Sequence, residues 1–158
     1  MGRKTDEETR LDFIQRNIAS QTDELLKMTR YAGSLLEAAG LKDGDSDKND
    51  VDCIMIQIVF YIAVYENFIR TVSKLADDVR KCIERAGGDL SDERKQSARL
   101  SMTQAEQMEA SAKVTLGQLR ETEDVLKEYT GAKKQEKYAE EAAGLREFRR
   151  KLLEAGKD

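Results

Sequence analysis

The chain has 158 residues, 37% of them charged, and it contains no proline and no histidine. High charge without proline favours long, uninterrupted helices with solvated outer faces, and the net charge of −4 indicates no general affinity for nucleic acid or anionic membrane. Without histidine, the chain lacks Ser–His and Cys–His catalytic pairs, histidine metal ligands and the Glu-x-x-His motif of di-iron bundles.

The first predicted helix covers residues 5–40. Thr5 and Glu8 have the spacing of a capping box, and Gly40 is a natural stop. Between them, seam residues recur in alternating steps of three and four, as on one face of an amphipathic helix, and only Gln21 among them is polar. The seam consists of Leu11, Ile14, Ile18, Gln21, Leu25, Met28, Ala32, Leu35 and Ala39.

Residues 41–49 are rich in turn-forming residues and predict an acidic linker between the first two helices. The Asp-x-Asp-x-Asn spacing that opens an EF-hand calcium loop occurs here, at Asp45, Asp47 and Asn49. Asp50 and Ile56 stand where that loop requires Gly and Glu, so we expect a polar turn. Asn49 or Asp50 would cap the second helix.

The second helix, predicted over residues 50–86, is the one around which the others are arranged. It carries no charge from Cys53 to Tyr65, and Gly87-Gly88 ends it. Its apolar residues form three adjacent columns that repeat every seven residues, so the helix needs at least two neighbours. The middle column is Val51, Ile58, Tyr65, Val72, Val79 and Ala86. The flanking columns are Met55, Ile62, Ile69, Ala76 and Ile83, and Ile54, Tyr61, Phe68, Leu75 and Cys82.

Four further apolar residues of the second helix lie outside these columns: Ile56, Val59, Phe60 and Ala63. In a four-helix monomer they would point away from the core, and leaving them in water is unfavourable by roughly 25 cal/mol per Å² of apolar area. We interpret them as candidates for a self-interface or an interface with a partner protein. The alternative is internal packing, with the fourth helix folded back over them.

Both cysteines, Cys53 and Cys82, lie on the second helix about eight turns apart, too far for a disulfide within one straight helix. We therefore expect buried thiols in a reducing cytoplasm. We expect no secretory leader, because the N-terminal residues contain no apolar core. The uncharged run of about 13 residues is shorter than the roughly 20 that a membrane span requires, so we expect no span.

The third helix is predicted over residues 91–130, with Ser91 as its cap and Leu90 as a staple residue. Its seam is thin, and small residues dominate the first half, so this half buries little apolar area. The seam consists of Ala98, Ser101, Ala105, Met108, Ala112, Thr115, Leu119, Thr122, Leu126 and Tyr129.

Two carboxylate pairs lie on this helix, Glu106-x-x-Glu109 and Glu121-x-x-Asp124. Their spacing resembles the Glu-x-x-Glu…Glu-x-x-Asp signature of the all-helical MazG-like nucleotide pyrophosphohydrolases. The resemblance implies Mg²⁺-dependent hydrolysis by four carboxylates that converge from two antiparallel helices, which requires a break near Gly117. The pairs lie on one continuous helical pattern and off its seam, so we interpret them as solvated surface carboxylates, with the hydrolase site as the alternative.

A new apolar phase predicts a fourth helix over residues 132–155, because continuing the third seam would bury charges. This phase runs through Tyr138, Ala142, Leu145, Phe148, Leu152 and Ala155. Gly131 marks the expected turn, and the alternative is one very long third helix that protrudes from the bundle. The basic residues Arg146, Arg149, Arg150 and Lys151 are candidates for contact with an acidic partner, a phosphate backbone or a membrane surface.

These patterns predict an all-α protein, an antiparallel bundle of three long helices and a shorter C-terminal helix with coiled-coil-like heptad packing, in a single domain. We expect a cytoplasmic, non-catalytic interaction protein that dimerises and binds a protein partner, and we expect no cofactor and no bound metal. The alternatives are a carboxylate and Mg²⁺-dependent nucleotide pyrophosphohydrolase, and a module that binds nucleic acid or a membrane surface through the basic C-terminal helix.

Overall fold

The structure, a computed structural model, describes residues 6–40, 48–129 and 132–155. These residues form four α-helices and one short 3₁₀ turn, and no β-strand occurs among them. The helices are α1 (Asp6–Gly40), α2 (Lys48–Ala86), α3 (Asp92–Tyr129) and α4 (Ala132–Ala155). Their packing is that of an all-α bundle, which confirms the predicted fold class.

The helix ends differ little from the predicted ones. α2 begins at Lys48, two residues before the predicted start at Asp50, so the two expected capping residues lie inside the helix. The helix signals that fall outside the described residues are Thr5, Asp45, Asp47 and Gly131.

Most buried side chains of α2 follow the predicted columns, and Val64, at 8% exposure, is buried outside them. Every member of the middle column is less than a tenth exposed, from Val51 at 8% to Tyr65, Val72 and Val79 at 0%. On α1, the seam residues are buried except Gln21, Leu25 and Ala39, which are partly exposed. Heptad burial on neighbouring helices is what a coiled coil requires, and the supercoil itself stays a prediction.

Cys53 corrects the expectation that both thiols are buried. Cys82 belongs to a flanking column and is 2% exposed, whereas Cys53 lies outside all three columns and is exposed to solvent. The sequence position relative to the columns therefore decides the exposure of each thiol.

The turn between α2 and α3 forms as its sequence predicts. Gly87 has a φ of +51°, a left-handed conformation that favours glycine over residues with a Cβ atom. The hydroxyl of Ser91 accepts a hydrogen bond from the backbone N–H of Arg94 at 3.1 Å, which is the predicted N-cap. Leu90, the predicted staple residue, is 3% exposed.

The described chain divides into two compact units. The first unit contains Met1–Met28 and Asn67–Val114, and the second contains Thr29–Glu66 and Thr115–Asp158. Each unit therefore contains parts of α1, α2 and α3, and α4 belongs to the second unit.

In the first unit, polar side chains join α1 to α3 over a layer of small residues. The guanidinium of Arg94 donates to Asp12 at 2.5 Å, and Gln15 donates to Ser101 at 2.9 Å. Partners on both helices advance along the chain together, so α1 and α3 run parallel. The buried small residues of α3 in this unit are Ala98, Ala105 and Ala112.

In the second unit, aromatic and charged contacts join α1, α2 and α3. The rings of Tyr31 and Tyr61 stack with centroids 4.6 Å apart, and the hydroxyl of Tyr31 donates to Gln57 at 2.5 Å. Arg120 of α3 forms an ion pair with Glu66 of α2 at 2.9 Å.

α4 is a separate helix whose first half packs against α2 within the second unit. The hydroxyl of Tyr138 donates a hydrogen bond to the carboxylate of Asp52 on α2. Tyr138 is 2% exposed and Ala142 is 1% exposed. The first half of α4 is thus packed against α2 and does not protrude from the bundle, while the expected turn at Gly131 lies outside the described residues.

Candidate partner-binding surface

The predicted interface residues on α2 are neither enclosed nor bare. Ile56, Val59, Phe60 and Ala63 are all partly buried. The ring of Phe60 meets that of Tyr61 edge to face, with centroids 5.3 Å apart. We refer to these four residues as the α2 patch, and part of its apolar area remains in contact with water.

The second half of α4 has a much more exposed apolar surface. Leu145 is 41% exposed, Phe148 61%, and Leu152 and Leu153 58% each. Their spacing of three, seven and eight residues from Leu145 places them along one side of the helix. We refer to these four residues as the α4 stripe.

The α4 stripe shows how far the predicted apolar phase of this helix is buried. Of its six members from Tyr138 through Ala155, Tyr138 and Ala142 are buried and the other four are exposed. The period predicted an amphipathic helix correctly. The period does not show how much of α4 other helices cover, because this coverage depends on contacts with other parts of the chain.

The four basic residues of α4 differ in their ion pairs and in their exposure to solvent. Arg150 pairs with Glu147 and Glu154 at 2.5 Å each, and its hydrogen bond to Glu147 lowers the pKa of that carboxylate. Arg149 is partly buried. Arg146 and Lys151 are exposed, and neither forms an ion pair with another residue in the described part of the chain.

The two carboxylate pairs of α3 do not converge. Gly117 lies inside one continuous helix, so Glu106 and Asp124 are separated by about 27 Å along its axis. Glu109 pairs with Lys113 at 3.2 Å, and Glu121 is exposed. Over the described ranges, no group of three or more acidic or cysteine residues could hold a metal ion. The arrangement therefore differs from the one that the pyrophosphohydrolase resemblance implies.

A feature that the sequence interpretation missed lies on the outer side of α3, in the second unit. Glu121, Asp124 and Glu128 are exposed, and Val125 between them is 52% exposed. They follow the i, i+3, i+4, i+7 spacing of one helix face. We refer to these four residues as the acidic face of α3, and the same spacing on the sequence, opposite the seam, could have indicated it.

One helix of the described chain is long and apolar enough to cross a membrane, over Val51–Asp89, with a mean hydropathy of 1.5 in its most apolar window. The core helix of a soluble bundle has the same length and composition. In this structure the middle column of α2 is buried against other helices, so this property is weak evidence for a membrane span.

Comparisons of the chain with protein-family models, with curated proteins and with solved structures find no match.

Proposed function

We propose that this chain is a non-catalytic, cytoplasmic protein–protein interaction module that acts as a homodimer of helical bundles with coiled-coil packing. The observation that carries the proposal is the α4 stripe. It places four large apolar side chains, each more than two fifths exposed, between Leu145 and Leu153. The α2 patch belongs to the same compact unit and adds apolar area that its own chain covers only in part.

The physical argument is the cost of keeping such a surface in water. Single exposed apolar residues are ordinary on a soluble protein, whereas a contiguous apolar surface marks a site of interaction. Burial of apolar area stabilises an association by roughly 25 cal/mol per Å², before the entropic cost of association is subtracted. A second protein that covers the α4 stripe and the α2 patch would therefore lower the free energy.

Light scattering of the purified chain at tens of micromolar tests the dimer. We expect Phe148→Glu to yield a monomer with unchanged helical content, because Phe148 is 61% exposed in the single chain. Phe13→Glu is the matched control, since Phe13 is also 61% exposed and lies in the first unit, so this variant should remain dimeric. A monomeric wild-type chain would contradict the proposed dimer.

Phe60→Glu tests the contribution of the α2 patch. We expect a weaker dimer with largely unchanged helical content, measured by light scattering and by circular dichroism. If this variant unfolds, the partly buried Phe60 is a core residue, and the interface is confined to α4.

The protein partner is tested by affinity capture from native lysate with two baits, the wild-type chain and Phe148→Glu. We expect a partner that the wild-type bait retains and the variant loses. A partner captured equally by both baits would bind elsewhere on the bundle.

A further inference from the structure

We propose that the α4 stripe of one copy binds the acidic face of α3 on a second copy. In the resulting twofold dimer, the α4 stripe of the second copy binds the acidic face of the first. This inference rests on the proposed self-association and identifies the surface that meets α4. Both surfaces lie in the second unit of the chain.

The α4 stripe is bordered by positive charge on both edges. At 3.6 residues per turn, Lys151 lies one turn from Phe148 on one edge, and Arg146 lies on the opposite edge, two turns before Leu153. Both cations are exposed and form no ion pair with a described residue. The partly buried Arg149 lies within the stripe itself. A surface that covers the stripe would have to bring an apolar centre and negative charge to these edges.

The acidic face of α3 has that composition. Val125 supplies an exposed apolar group, and Glu121, Asp124 and Glu128 lie along one side of it without an ion pair to any residue that the structure describes. The pKa of the neighbouring Lys127 is raised by the hydrogen bond to its ion-pair partner and also by the charge of Asp124. Glu128 lies in the last turn of α3, where the helix dipole already places partial negative charge. A cation that approaches Glu128 would therefore be favoured by both the side chain and the helix end.

A second copy fits this chemistry better than an anionic lipid surface does. Within Leu145–Ala155, two of the six charged side chains are carboxylates, and Arg150 is occupied by both of them. The chain as a whole carries a net charge of −4, which opposes approach to an anionic membrane. In a twofold dimer, by contrast, each chain supplies one basic and one acidic surface, and the contact forms twice.

Charge reversal with complementary rescue tests the inference in the full chain. We expect Arg146→Glu/Lys151→Glu and, separately, Glu121→Lys/Glu128→Lys to weaken self-association about tenfold or more, measured by sedimentation equilibrium at low salt. Mixing the two variants restores opposite charges at both contacts, so a heterodimer of wild-type affinity should form. Lys81→Glu/Arg99→Glu, which reverses two exposed cations of the first unit, is the matched control and should dimerise normally.

Each other outcome overturns the inference in a distinct way. A wild-type dimer that neither reversal weakens leaves the proposed dimer in place and removes the contact between α4 and α3. A monomeric wild-type chain removes both. Loss of binding to vesicles of anionic lipid in Arg146→Glu/Lys151→Glu, with an unchanged dimer, would assign the α4 stripe to a membrane surface.

Discussion

Tyr138 holds the start of α4 against α2 through one buried hydroxyl. Burial raises the pKa of Tyr138 to about 12, and the hydrogen bond to Asp52 and the charge of that carboxylate act in the same direction. The folded state therefore retains the neutral hydroxyl, which donates to a charged acceptor on α2.

We expect Tyr138→Phe to lower the free energy of unfolding by about 1 to 3 kcal/mol near neutral pH, because Asp52 loses a donor. Since the folded pKa is raised, the contribution of Tyr138 is fully present below pH 10 and is lost as the pH rises towards about 12. Urea unfolding of the wild type and of Tyr138→Phe at about pH 8 and about pH 11 measures the difference in their free energies of unfolding. The difference between them should shrink at the higher pH, and a constant difference would contradict the assigned hydrogen bond.

Tyr65 presents a contrasting case, because its buried hydroxyl makes no hydrogen bond of ordinary length and angle to a described residue. It is 0% exposed, and burial raises its pKa, while weaker hydrogen bonding with the side chains of Thr29 and Thr115 lowers that pKa in part. We expect Tyr65→Phe to be as stable as the wild type or more stable by up to about 1 to 3 kcal/mol, since a poorly paired buried polar group is removed. Thermal unfolding measures it, and a clear loss of stability would show that the hydroxyl is paired.

At the scale of the helix, local signals in the sequence determine most element ends. Ser91 caps α3 as predicted, and Gly87-Gly88 ends α2, because capping and left-handed turns depend on a few neighbouring residues. The start of α2 was placed late, since Asn49 and Asp50 can also be accommodated in a first helical turn. The exposed half of α4 could not be predicted, because burial there depends on which other helices reach it.

Gly87 and Gly88 allow a paired test of the α2–α3 turn. We expect Gly87→Ala to lower the free energy of unfolding by about 1 kcal/mol, because alanine is strained at a φ of +51°. Gly88 has no positive φ and no heavy atom within 4 Å of an added Cβ, so Gly88→Ala should leave stability nearly unchanged. Urea unfolding compares the two, and an equal effect would contradict the assigned turn.

At the scale of the whole molecule, the sequence predicted a surplus of apolar surface but placed it on one helix only. The α2 patch was identified because Phe60 and its neighbours lie outside the seven-residue columns. For α4 the sequence indicates the basic residues as the contact surface and not the apolar side, because Leu145 and Phe148 continue a pattern that also describes a buried seam. The sequence places Glu121 and Asp124 on the solvated outside of α3, which the structure confirms, but it does not group them with Val125 and Glu128 as one face.

Self-association through charged edges should depend on ionic strength. We expect the dimer to weaken when the salt concentration rises from about 20 mM to about 500 mM, because exposed charges are screened over a shorter distance. An interface made only of the apolar α2 patch would instead be unchanged or strengthened by salt. Sedimentation equilibrium at both salt concentrations distinguishes the interface with charged edges from the purely apolar one. Salt-independent association would contradict a role for Arg146 and Lys151.

The two compact units also differ in their content of fluorescent side chains. The chain has no tryptophan, and all five of its tyrosines lie in Thr29–Glu66 or Thr115–Asp158. Intrinsic fluorescence therefore observes the second unit alone, whereas far-ultraviolet circular dichroism records helices in both. Heating the unlabelled protein while following both signals would reveal whether one unit loses its structure before the other, with no introduced probe.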